Sequence, residues 1–158
     1  MQPSAMAWRP EWTQITNCFS WSLPDALAGS VIAERKAEVL AHVHALPTNA
    51  EHYGMIHFDM LVVYPRQERP AFAAHFLREF IRGYAIERPL DAFWVSQLPY
   101  FLKLLEINIY AQVSPHHDPA DTTSWVGKFL AEDRRQRIES GVPYVETDFA
   151  GAMESLEA

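Results

Sequence analysis

Residues 98–113 read Leu-Pro-Tyr-Phe-Leu-Lys-Leu-Leu-Glu-Ile-Asn-Ile-Tyr-Ala-Gln-Val, a stretch that leaves no broad polar face. Pro99 suits the first turn of a helix, where its missing N–H costs no hydrogen bond. From there to about Val113, Phe101, Leu102, Leu104, Leu105, Ile107, Ile109 and Tyr110 cover nearly the whole helical circumference. A helix that is apolar all round has to be buried, so the rest of the chain must be arranged about it. Its polar exceptions are Lys103, Glu106 and Asn108; Lys103 and Glu106 stand three apart, close enough on a helix to pair.

Other segments show the periodicity of helices that would pack around such a centre. Ser30 is a plausible N-cap for a helix from Val31 to Leu46, with Glu34 in its first turn. Ile32, Val39, Leu40, Val43 and Leu46 recur there at helical spacing, and Pro47 stops it. Pro70 fits the first turn of a second helix, in which Phe72, Phe76, Phe80 and Tyr84 repeat every four residues and read as core. Gly83 weakens that helix near its end. Residues 89–97 predict a short helix with Leu90, Phe93 and Trp94 on its apolar side. After the loop 114–121, Asp121 or Thr122 can cap a final helix carrying Trp125, Phe129, Leu130 and Ile138. Its run Glu132-Asp133-Arg134-Arg135-Gln136-Arg137 reads as a solvated face, and Gly141 and Pro143 end it. The expected fold class is mainly α, with at most a short extended element around residues 54–64. Residues 1–30 read as an irregular arm, 31–149 as a single helical domain and 150–158 as a frayed tail.

Composition excludes several function classes. The formal charge of −7 argues against broad phosphate-backbone binding and so against nucleic acid. No apolar run approaches the roughly 20 residues a membrane span requires. Cys18 is the lone cysteine, which excludes an internal disulfide and points to a reducing, cytoplasmic setting. There is no Gly-x-Ser-x-Gly elbow, no cysteine nucleophile motif and no glycine-rich phosphate loop.

Two constellations carry possible chemistry. In Tyr53-Gly54-Met55-Ile56-His57-Phe58-Asp59-Met60, a His-x-Asp pair sits between apolar residues, where buried charge is costly unless partnered or put to use. Together with His116, His117 and Asp118, these residues have the types of a metal site, though the spacing matches no strong signature.

The first constellation also carries a family resemblance. Tyr53-Gly54-Met55-Ile56-His57-Phe58-Asp59 resembles the catalytic loop of the aminoglycoside phosphotransferase and choline kinase family, a branch of the protein-kinase-like fold. Arg82-Gly83-Tyr84, Arg88-Pro89-Leu90 and Leu98-Pro99-Tyr100-Phe101-Leu102 are similar to that family's helical segments, and Leu46-Pro47 fits the helix before the loop. The likeness covers roughly residues 30–113 and implies the helical C-terminal lobe of that fold. It further implies ATP-dependent phosphorylation of a small-molecule hydroxyl with Mg-ATP. Asp59 would be the base that takes the acceptor proton, and His57 would brace the loop.

The chain departs from the family at three points. Tyr64 stands where a metal-binding Asn is expected. No second acidic motif lies between Met60 and Phe72, and Leu61-Val62-Val63-Tyr64-Pro65 resembles the segment that normally follows it. The irregular first 30 residues cannot supply a nucleotide-covering lobe with its ion-paired lysine. Phosphoryl transfer depends on charge neutralisation more than on the base, so the resemblance implies ancestry, in a truncated member, more firmly than activity. The partners expected are a complementing chain that would hold the missing parts or, on the non-catalytic reading below, a homo-oligomer. Two rival readings stand beside it. One is a non-catalytic, self-associating helical module presenting Trp8, Trp12, Trp21 and Trp125. The other is a metal enzyme using His57, Asp59, His116 and His117.

Overall fold

The computed structural model describes residues 22–46, 67–87, 92–131, 133–149 and 151. They form six α-helices: α1 (Val31–His44), α2 (Arg69–Glu87), α3 (Ala92–Ser96), α4 (Leu98–Val113), α5 (Trp125–Leu130) and α6 (Arg134–Glu139). Single 3-10 turns occupy Asp25–Leu27 and Ser114–His116. No strand occurs among the described residues, and the fold is mainly α. The segment 54–64, expected to hold a short extended element, lies outside them.

α4 is the centre that its sequence demands. Leu98, Leu102, Leu104, Ile107, Tyr110 and Ala111 are buried on it, and so are Lys103 and Glu106. It packs against α1, α3 and α6. Truncating a fully buried residue of this kind, such as Leu102 or Ile107, to alanine costs about 2–5 kcal/mol through lost transfer energy and a residual cavity. Val43 and Leu104 form a smaller cluster with Val39, Leu40 and Phe101, which seats α1 on α4. The expected Ser30 cap is present: its hydroxyl accepts from Ala33 N at 3.4 Å and donates to Leu27 O at 2.6 Å. At the far side, Arg35 Nε donates to Glu139 O at 2.9 Å, so α1 also satisfies a carbonyl at the end of α6.

α2 departs from its sequence reading in a specific way. Its aromatic ladder does stack, with centroids 6.1, 6.2 and 5.8 Å apart along Phe72, Phe76, Phe80 and Tyr84. The stripe that enters the core is the neighbouring one: Arg69, Ala73, Leu77 and Ile81. Phe72 and Phe76 lie against the core edge, and Phe80 is 37% exposed. Aromatic rings are wide enough to cover the flank while small and branched side chains fill the close approach. Gly83 does not end the helix, which continues to Glu87.

The final segment is two helices rather than one. Asp133 adopts φ 49° between α5 and α6, a left-handed conformation that Asp tolerates better than most residues. The cap of α5 is Ser124, whose hydroxyl accepts from Gly127 N at 3.1 Å, rather than Asp121 or Thr122. Asp121 organises the approach instead, its carboxylate accepting from Thr123 N at 3.1 Å and Ser124 N at 3.0 Å. Hydrogen bonds from Ser124 and then Thr123 hold its carboxyl down at about 2. α6 ends as expected at Gly141, φ 71°, with Val142 N donating to Arg137 O and Gly141 N to Ile138 O, both at 3.1 Å. Beyond it Tyr144, Val145 and Phe149 return to the main core.

Two glycines test this packing with opposite signs. A Cβ on Gly127 would lie 2.0 Å from the Asp121 carbonyl oxygen, whereas one on Gly83 would meet nothing within 4 Å. Gly127→Ala is expected to lower stability by about 1–3 kcal/mol or more through overpacking. Gly83→Ala is expected to raise it by about 0.5–1 kcal/mol; denaturant melts of both variants check the pair. Because the folded carboxyl of Asp121 titrates below its unfolded value of about 4, its stabilisation is complete above that pH. It is lost as pH falls towards about 2. Acid titration of Asp121→Asn followed by circular dichroism should show a shallower loss of stability in that window.

Candidate functional site

The two residues that the sequence singles out for catalysis, His57 and Asp59, lie outside the described residues, as does Tyr64. The structure does describe what brackets them. Leu46, after α1, and Arg69, the first residue of α2, are both buried. Both points belong to the packed body.

The distinctive chemistry among the described residues is a buried ion cluster centred on α4. Glu106 is fully buried and accepts from two cations on different elements. Lys103 donates to its Oε2 from one turn away, and Arg134 Nη1 donates to its Oε1 at 2.6 Å. The Arg134 side chain is itself fully buried. Its Nε donates to Phe129 O at 3.1 Å, and its guanidinium lies 4.3 Å from the Phe129 ring centroid and 5.1 Å from that of Tyr144. One side chain therefore neutralises Glu106, satisfies a carbonyl near the end of α5 and stacks on two rings, the work a planar fork suits. Arg69 approaches the Tyr144 ring at 5.5 Å. Arg137 Nη2 donates to Pro143 O at 3.3 Å and stands 3.7 Å from Glu146. Burial lowers the pKa of the Lys103 ammonium; Glu106 opposes that shift, while Arg134 and Arg137 add to it.

The pairing of Lys103 with Glu106 was legible in the sequence. The expectation that Glu132 to Arg137 forms a solvated face fails at Arg134 and Arg137, which are buried. Arg135 keeps to it, pairing with Glu139 at 2.8 Å on the outside. The missed signal was an unbalanced acid: a carboxylate inside an all-apolar helix needs more than one flexible lysine. Arg134 and Arg137, three apart, share a helical face that could supply it.

Of the other predicted site residues, His116, His117 and Asp118 are described. His116 lines an open recess of about 390 Å³ with Ser22, Pro24, Ala111, Gln112 and Pro115; no lysine or arginine lines it among the described residues. Asp118 Oδ1 is engaged locally, accepting from Ala120 N at 2.9 Å. Among the described residues no group of three or more His, Cys, Asp or Glu could hold a metal ion. His42 is a boundary residue, bonded to Gln97 Oε1 at 2.8 Å and stacked on Tyr100. No helix among the described residues is long and apolar enough to cross a membrane.

Comparison with known proteins gives one functional pointer. No protein-family model matches the chain, and no solved structure matches it. Over 88 residues it is 32% identical to amicoumacin kinase of Bacillus subtilis (strain 168), an alignment covering 56% of this chain and 26% of that protein. The chain thus spans about a quarter of the length of the curated relative it matches. The similarity is to a phosphotransferase, which agrees at that level with the class implied by the Tyr53–Asp59 sequence.

The ion cluster makes a sharp mutational prediction. Glu106→Gln leaves two buried cations facing a neutral amide and is expected to cost about 3–5 kcal/mol. Lys103→Met leaves Glu106 and Arg134 balanced one to one and removes a desolvated charge. It is expected to stay within about 1 kcal/mol of the parent. Urea denaturation of both variants measures the contrast.

Proposed function

We propose that this chain is the helical, catalytic-base-bearing part of a kinase-like phosphotransferase related to the aminoglycoside phosphotransferase and choline kinase family. The observation that carries the reading is the 32% identity over 88 residues to amicoumacin kinase, joined to the Tyr-Gly-Met-Ile-His-Phe-Asp sequence at 53–59. The mainly helical body is consistent with a C-terminal lobe of that fold. Asp59 accepts the proton of a small-molecule hydroxyl as it attacks, and His57 braces the loop. The reaction class calls for Mg-ATP, but the described residues hold no cluster of three or more His, Cys, Asp or Glu that could bind a metal ion, and Tyr64 replaces the expected Asn. No nucleotide-holding role is therefore assigned to this chain's residues. Those groups come from further polypeptide, either more of the same protein or a complementing chain, and the setting is the ATP-containing cytoplasm.

Two linked measurements test this. Thermal melts of the chain with millimolar Mg-ATP are expected to show no shift for the chain alone; a ligand at a hundredfold excess over its Kd would stabilise by about 2.7 kcal/mol. Once the complementing polypeptide is added, phosphate transfer to a hydroxyl acceptor is expected. Asp59→Asn should lower that transfer by about 10²–10⁴-fold. Transfer that survives the substitution overturns the role given to Asp59.

A second reading has one observation in its favour. Trp125 is 48% exposed and Phe93 42% exposed, the kind of surface a self-associating module presents. Sedimentation over a wide concentration range decides it: a concentration-dependent dimer supports the module, and a strict monomer overturns it.

A further inference from the structure

We draw no further inference here: the strongest candidate, the buried cationic cluster in which Arg69, Arg134 and Arg137 gather with Lys103 around Glu106 and the Tyr144 ring, belongs to the packing joint between α4, α6 and the chain after Gly141 already described.

Discussion

Glu106 holds the described body together from its middle. A carboxylate with no solvent exposure is tolerable only if its charge is matched and its lone pairs are used, and here Lys103 and Arg134 do both. Because Arg134 belongs to α6, matching that charge brings α6 onto α4. The same guanidinium binds the Phe129 carbonyl and so fixes α5 as well. Tyr144 closes over it from beyond Gly141. Arg35, reaching from α1 to Glu139 O, completes the circuit from the other side. α5 and α6, six residues each, could not persist alone in water; the ion cluster and the apolar burial of Phe129, Ile138 and Tyr144 keep them in place.

What was legible in the sequence follows from how local each determinant is. α4 was readable because it is apolar on every side, which leaves one solution. The Ser30 cap and the Gly141 stop were readable because their chemistry involves only a few neighbouring residues. The burial of Arg134 was not, since a run of charges gives no local sign that one member has a carboxylate 28 residues away. The split at Asp133 was hidden for a related reason: a non-glycine residue at positive φ has no strong sequence marker. The α2 ladder shows a third limit. Periodicity identifies a stripe but not which of two adjacent stripes lies innermost, and bulk decided in favour of Ala73, Leu77 and Ile81.

Function is legible at a different grain. The His57–Asp59 sequence resembles that of a phosphotransferase family, and the curated similarity is to a phosphotransferase, while the described residues account for a helical body and not for that chemistry. α1 ends and α2 begins at points where Leu46 and Arg69 are buried. The ion cluster's part is structural: it fixes α5 and α6 against α4.

The most direct test of this account is a double-mutant cycle on the Glu106–Arg134 pair, with Glu106→Gln, Arg134→Met and the double variant compared in urea. If one carboxylate locks α6 to α4, the double variant loses less stability than the two single losses added together, by about 2–3 kcal/mol. Losses that add to within about 0.5 kcal/mol would mean that the two residues act independently, and would contradict the account.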